Sequence, residues 1–241
     1  MAFPVRFSIM TKLIVPCWQT CYRPPALGEG RIHIWRFPRR PAMAPSARTL
    51  RLFSEEERAR AGRFLRPADQ QAYIHCRGML RRILGLYLGI PGSTLNLDYG
   101  PAGKPSLYRE GADFEFNLSH AGDFALLGVS RRIPLGIDLE PLKPRSHLLD
   151  LARRVFDTDT YSRLSRLPPR RRLLPFYLAW TGLEARVKAG GESLFTGLGE
   201  TKGSSYTVVH WFPAQGYCAA LAYSNRREPV HLVFITLPPV Q

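Results

Sequence analysis

The chain has 241 residues, 45% of them apolar and 22% charged, which fits one large or two small globular domains with real cores. Four cysteines, Cys17, Cys21, Cys76 and Cys218, are too few and too scattered for a disulfide scaffold. No second pair completes a zinc site with Cys17 and Cys21, and no apolar run reaches the ~20 residues that span a bilayer. The net charge of +15, carried in arginine clusters such as Arg81-Arg82, Arg153-Arg154 and Arg170-Arg171-Arg172, favours anionic partners: nucleic acid, a polyphosphate cofactor, an acidic protein or a membrane surface.

Residues 1–30 are rich in proline and carry no periodic pattern, so an irregular segment is expected there. Arg6 and Lys12 are not followed by an apolar core and a small-residue cleavage site, which points to a soluble, cytoplasmic protein. Arg31–Phe37 alternates as a strand, and Pro38–Ala47 is a loop. Ser54-Glu55-Glu56-Glu57 is a capping box that starts a helix ending near Leu65. A longer helix is expected from Ala68 to Leu88, with Ile74, Leu80, Ile83 and Leu84 at helical spacing.

After Pro91-Gly92, Leu95–Tyr99 is expected as a short strand. The turn-rich Gly100–Pro105 loop follows, holding Lys104. Phe114–Asn117 is strand-like, Ser119–Asp123 is expected to turn, and Phe124–Val129 is a strand. Then comes Pro134-Leu135-Gly136-Ile137-Asp138-Leu139-Glu140. Strands repeat every two residues, so Asp138 and Glu140 leave one face while Ile137 and Leu139 leave the other. Two neighbouring carboxylates repel and call for a positive partner. A hard cation such as Mg²⁺ fits, because it takes one or two carboxylates and fills its other positions with water and phosphate oxygens. The plainer alternative is an edge strand with a solvated acidic face.

Beyond Pro144 the pattern turns helical, at Leu148–Val155, Asp157–Leu164 and Leu174–Ala189, and the tail returns to strands at Tyr206–Trp211, Tyr217–Tyr223 and His231–Ile235. The class is α+β, in two halves of similar size: an N-terminal segment 1–30, a first lobe 31–133 and a second lobe 134–241. No sequence repeat relates the halves, so any duplication is structural. In the third helix Trp180, Glu184 and Lys188 share one face at i, i+4, i+8, which suits a metal–phosphate site as well as a surface Glu–Lys pair.

Taken together, these blocks resemble the 4'-phosphopantetheinyl transferases of the two-lobed bacterial type that modify carrier proteins. The resemblance is carried by Phe53–Arg60 with Arg63-Phe64, Arg77–Arg81, Tyr99-Gly100 with Gly103-Lys104-Pro105, and Phe116–His120 with Gly122-Asp123. It continues through Leu135–Glu140 and Trp180 with Glu184-Ala185 and Lys188, in the family's order and over roughly residues 31–225. It implies a pseudo-dimer with coenzyme A in the cleft between lobes and Mg²⁺ on Asp138, Glu140 and Glu184. Glu184 and Lys188 would be catalytic, with Lys188 on the phosphates. Arg60 and His120 would approach the 3'-phosphate end, and Lys104, Pro105, Asn117, Ser119 and His120 would border the nucleotide. The implied acceptor is an apo acyl or peptidyl carrier protein and the by-product 3',5'-ADP. A monomer is implied, with neither nucleic acid nor membrane as partner.

One position departs from the family pattern. Leu183 stands where the family usually has a lysine before the metal-binding glutamate, and leucine can neither donate a hydrogen bond nor balance charge. Gly182 weakens the same helix, and Arg186 is the nearest candidate for the missing cation. Leu183 is what supports the alternative, a degenerate homologue that binds coenzyme A or a carrier protein without transfer.

Overall fold

The structure is a computed structural model that describes residues 12–40, 46–100, 103–107, 113–191 and 205–237. Residues 1–11 of the expected irregular segment, residues 41–45 of the expected loop, and Pro101 and Ala102 lie outside the described residues.

Two short strands, β1 (Lys12–Leu13) and β2 (Trp18–Thr20), precede the first lobe. That lobe consists of β3 (Arg31–Pro38), α1 (Ala47–Leu50), α2 (Glu55–Gly62), α3 (Pro67–Leu88), the small hairpin β4 (Leu97–Tyr99) and β5 (Pro105–Leu107), then β6 (Phe114–Ala121) and β7 (Phe124–Arg131). The second lobe runs through β8 (Leu135–Pro141), α4 (Leu148–Val155), α5 (Thr158–Arg166), α6 (Leu173–Gly190), β9 (Tyr206–Trp211) and β10 (Tyr217–Ser224). The last strand is β11 (His231–Thr236). No helix of the described residues is long and apolar enough to cross a membrane.

The duplication absent from the sequence is present in the topology. In the first lobe β3, α3, β6 and β7 give the strand order β3-β7-β6; in the second, β8, α6, β9 and β10 give β8-β10-β9. Every pairing within these two sets is antiparallel. The sheets pack against each other through Ile32, Ile34, Leu126 and Phe234 of one and Leu135, Ile137, Leu139, Val209 and Leu221 of the other. Helix α3 covers the outer face of the first sheet with Leu80, Ile83 and Leu84. Helix α6 covers the second with Ala185 and Ala189 against Ala220 and Ala222. Removing this apolar surface from water, at roughly 25 cal/mol per Å², is the main force holding the lobes together.

Three expectations are corrected. The N-terminal stretch is not wholly irregular: β1 pairs in parallel with β9 and β2 with β11, so residues 12–20 bridge both sheets. The sheets also do not divide at residue 134, because β11 runs parallel to β3 in the first sheet. Finally, Ser119, His120 and Ala121 belong to β6, and the reversal is confined to Gly122-Asp123. There Gly122 takes φ +55°, a left-handed conformation that suits glycine, and a Cβ on it would collide with the Tyr217 hydroxyl. Tyr217 Oη accepts from the Asp123 amide at 3.0 Å and donates to Asp123 Oδ2 at 3.2 Å, tying the first lobe's hairpin to the second lobe.

The capping box forms as expected and extends into the core. Glu57 N donates to Ser54 Oγ at 3.3 Å and Ser54 N to Glu57 Oε2 at 3.0 Å. The same carboxylate takes Arg81 Nε at 2.6 Å, with both side chains buried, and Arg81 Nη1 donates on to the carbonyls of Gly92 and Leu95. One acid thus fixes α2, α3 and the approach to β4.

Candidate active site

Strand β8 is an edge strand, as the plainer alternative held, but its acidic face is not solvated. Leu135, Ile137 and Leu139 enter the core between the sheets, which turns Gly136, Asp138 and Glu140 toward α6. Gly136 permits the contact. A Cβ there would overlap the Ala185 carbonyl oxygen and the Ala189 amide nitrogen and stand 2.8 Å from the Lys188 carbonyl carbon. The helix therefore lies directly on the strand, one turn from Glu184 and beside Lys188.

Asp138 is 4% exposed and is the centre of the cluster. Its Oδ1 accepts from Lys188 Nζ at 2.6 Å and from Ser119 Oγ at 3.2 Å, while its Oδ2 is buried with no hydrogen-bond partner among the described residues. Lys188 Nζ also lies 3.5 Å from Ser119 Oγ. The Glu184 carboxyl is pushed up in pKa by burial and by the charges of Asp138 and Glu140, with Lys188 opposing. Glu140 is pushed up by burial and by Asp138, with Arg145 and Lys188 opposing. The Trp180 indole N–H also favours the Glu140 anion, though its nitrogen closes no hydrogen bond of good geometry. Asp138 thus raises the cost of ionising both glutamates, and Glu140 raises that of Glu184, the condition a cation relieves. As the side chains stand, no three potential ligands among the described residues close on one point. The Lys188 ammonium holds the place beside Asp138.

The facing strand β6 supplies the other wall. Asn117 is buried, and its Oδ1 accepts from the Ile137 amide at 2.9 Å, so it joins the edge of one sheet to the edge of the other. Lys104 reaches from the β4–β5 hairpin to the Leu135 carbonyl at 3.1 Å, and burial lowers its pKa. Pro105 opens β5 opposite Tyr99. His120 has part of its surface open to solvent, yet enclosure lowers its pKa, and Arg39, Lys188 and Arg77 lower it further. Arg60 is exposed on α2 with its guanidinium 5.6 Å from the Tyr73 ring centre, a ring it shares with Arg77 at 5.8 Å.

Sequence reasoning missed Arg39, Arg77 and Arg145. Arg39 Nε and Arg77 Nη1 are buried donors without partners among the described residues, and both guanidinium groups act on His120. Arg145 Nη2 lies 3.8 Å from Glu140 Oε2. Arg77 opens a block that carries the family resemblance without a site role attached to it, and nothing local marks Arg39 or Arg145 in an arginine-rich chain. Arg186, the candidate replacement cation, acts on His210 of β9. Leu183 is 3% exposed and packs with Leu148, Phe156 and Phe176, so this position belongs to the apolar contact between α6 and α4.

The carboxylates of β8 and α6 thus stand with Lys188, while Lys104 reaches β8 from the first lobe and Arg39 and Arg77 act on His120 of β6. Residues 39–131 match the N-terminal domain of 4'-phosphopantetheinyl transferases, and residues 134–222 match the 4'-phosphopantetheinyl transferase superfamily. The chain is 37% identical over 176 residues to 4'-phosphopantetheinyl transferase HetI of Nostoc sp., covering 71% of this chain and 74% of that protein. It is 33% identical over 155 residues to 4'-phosphopantetheinyl transferase psf-1 of Bacillus pumilus, covering 64% and 63%. To the human L-aminoadipate-semialdehyde dehydrogenase-phosphopantetheinyl transferase it is 32% identical over 103 residues, covering 41% and 33%. The chain belongs to the 4'-phosphopantetheinyl transferase family of enzymes.

Proposed function

We propose that the chain moves the 4'-phosphopantetheine group of coenzyme A onto a serine hydroxyl of an apo acyl or peptidyl carrier protein, with Mg²⁺ bound and 3',5'-ADP released. The observation that carries the metal assignment is the buried, unpartnered Asp138 Oδ2 beside two carboxyls of raised pKa. An all-oxygen donor set with unmet negative charge fits a hard cation. Asp138, Glu140 and Glu184 would hold it, and when bound it neutralises pyrophosphate charge.

The remaining work falls to side chains of this chain. Lys188, 2.6 Å from Asp138 Oδ1, would meet the phosphates as a point charge. Glu184, with its raised pKa, is suited to accept the serine proton as the oxygen attacks the β-phosphorus. Bond formation to the serine oxygen accompanies cleavage of the pyrophosphate bridge, and the electron pair leaves with 3',5'-ADP. On the β6 wall, His120 with Arg39 and Arg77 suits the nucleotide's further phosphate. Lys104 and Pro105 border the base side, Ser119 lies at the pyrophosphate, and Asn117 holds the wall in register. Arg60 is a more peripheral cation in this reading. Leu183 is taken up by core packing with Leu148, Phe156 and Phe176, which gives a leucine there a structural role.

The test is incubation with apo acyl carrier protein, coenzyme A and Mg²⁺, read as the added phosphopantetheine mass. Asp138→Ala should lower turnover by at least ~10²-fold. A variant as fast as the parent chain would remove the metal assignment.

A further inference from the structure

Strands β6 and β8 carry most of the site, and two ties hold the lobes together there. At one end Asn117 of β6 accepts from the Ile137 amide of β8 at 2.9 Å. At the other, past the end of β6, the tie is the Tyr217 hydroxyl on Asp123. The Tyr217 ring stands edge-on to Phe124 of the same hairpin, with ring centres 5.1 Å apart. Arg36 of β3 also reaches the β9–β10 turn, through the Pro213 carbonyl, but it holds β3 and not the hairpin.

Both ends of the Tyr217 link run into the site. On the side of the acids, Tyr217 pairs with Pro141, and the next residue, Cys218, pairs with Glu140. The residue before it is fixed as well, since Leu142 N donates to the Gly216 carbonyl at 2.8 Å. On the side of the cations, the Asp123 carbonyl accepts from the Arg39 amide at 2.7 Å, and the Gly122 carbonyl lies 3.5 Å from Arg39 Nη1. His120, on which Arg39 and Lys188 both act, pairs with Ala125 just before the turn. One hydroxyl therefore joins the strand of Asp138 and Glu140 to the turn that holds Arg39 and His120.

We propose that Tyr217 is a positioning residue for the donor: its hydroxyl fixes Arg39 and His120 relative to Asp138 and Glu140, so that the nucleotide's further phosphate and the pyrophosphate are met together. This inference rests on the phosphopantetheinyl transfer reading. A strand edge tied at Asn117 alone can pivot about that point, and a second tie at the turn fixes the angle. Groups already in place when a ligand arrives need no ordering on binding, which raises affinity. The bond from Tyr217 to Asp123 ends on a carboxylate, the stronger kind of hydrogen bond. It joins a half-buried residue to an exposed one, so its loss leaves the core packing in place.

Tyr217→Phe removes the hydroxyl and keeps the ring on Phe124, and Asp123→Ala removes the carboxylate it reaches. Binding of coenzyme A and of 3'-dephospho-coenzyme A is measured by calorimetry with Mg²⁺ present, beside transfer to apo acyl carrier protein. Tyr217→Phe should raise the Kd and the KM for coenzyme A about tenfold. The kcat and the KM for the carrier should stay unmoved, because the substitution touches neither the acids nor Lys188. The Kd for 3'-dephospho-coenzyme A should also stay unmoved, because that donor lacks the phosphate that Arg39 and His120 would meet. The double variant should lose no more than Tyr217→Phe alone, since both changes break one link. Tyr223→Phe, the same change at the far end of β10, where the hydroxyl meets Thr207, is the control and should bind coenzyme A as the parent does. An unmoved Kd for coenzyme A in Tyr217→Phe, equal losses for the two donors, additive losses in the double variant, or an equal loss in Tyr223→Phe overturns the positioning role while transfer itself stands. A parent chain that neither binds coenzyme A nor modifies the carrier removes both readings.

Discussion

Replacing Gly136 by alanine should damage stability and turnover together, because the missing side chain is what lets α6 lie on β8. The added Cβ would stand 2.8 Å from the Lys188 carbonyl carbon and closer still to the Ala185 oxygen and the Ala189 nitrogen. Carbon atoms sit comfortably at about 3.5 Å, so α6 must lift by at least ~0.7 Å. None of the three contacts can yield by a side-chain rotation, since all are helix backbone. Overpacking of this kind costs about 1–3 kcal/mol, and a chain of this size loses about 2–4 °C in Tm per kcal/mol. The lift also moves Glu184 and Lys188 away from Asp138, breaking the 2.6 Å Lys188–Asp138 pair. A misplacement near 1 Å at reacting groups costs on the order of 10²-fold in rate. Thermal unfolding and carrier modification, measured on Gly136→Ala and on Gly62→Ala, at an open position of ordinary backbone conformation, as a general handling control, check both effects. A Gly136→Ala protein with the parent Tm and rate would refute the claim that strand–helix contact sets the site.

Two further predictions concern buried charge away from the cleft. Glu57→Gln leaves Arg81, 1% exposed, without its carboxylate and weakens the α2 cap, so urea unfolding should show a loss of about 3–5 kcal/mol; a loss under ~1 kcal/mol would contradict the paired-burial account. Burial lowers the pKa of His33 and His210 to about 4 from the ordinary 6.5. The unfolded chain therefore takes up protons near pH 6.5 that the folded chain refuses until about pH 4, so the stability these residues contribute is full above pH 6.5 and is lost as pH falls toward 4. Each accounts for about 3 kcal/mol over that window by the conversion of 1.36 kcal/mol per pKa unit, and His210→Gln should flatten the parent chain's decline by roughly that amount. Glu140 and Glu184, whose pKa values are raised, act in the opposite sense, so the comparison is made between variant and parent at each pH.

Local signals were legible in the sequence and distant ones were not. Ser54 and Glu57 are three residues apart, and the cap they form depends on nothing beyond that turn. The helical periods of α3 and α6 and the alternation of β8 likewise follow from neighbours, and each recurs in the structure within one or two residues of its expected ends. By contrast, Ser119-His120-Ala121 has the composition of a turn and is held extended by Leu126, Ala125 and Phe124 of β7. The true reversal is pinned by Tyr217, 94 residues further on. Residues 12–20 become strands because Val209 and Phe234 offer sheet edges, a fact with no trace in the segment itself. In the site, the carboxylates stood out because adjacent acids on a strand are unusual. Arg39, Arg77 and Arg145 did not, because what singles them out is tertiary: Arg39 and Arg77 act on His120, and Arg145 lies 3.8 Å from Glu140.

The two lobes also show why a shared topology left no repeat to find. Strand β3 occupies in the first lobe the place of β8 in the second: each lies beside the third strand of its lobe and turns alternate residues under a helix. Under α3 those residues are His33, Trp35 and Phe37, a buried set in which Tyr87 serves both His33 and Trp35 with its hydroxyl. Under α6 they are Gly136, Asp138 and Glu140. Strand β3 is flanked on both sides, by β7 and β11, so polar groups there would have no route to solvent or ligand. Strand β8 is an edge and faces the other lobe's edge, β6. Acids are tolerable on β8 because the neighbouring wall brings Lys104 and Ser119, and because Lys188 descends from a helix brought close by a glycine. The same architectural position is therefore core in one half and chemistry in the other.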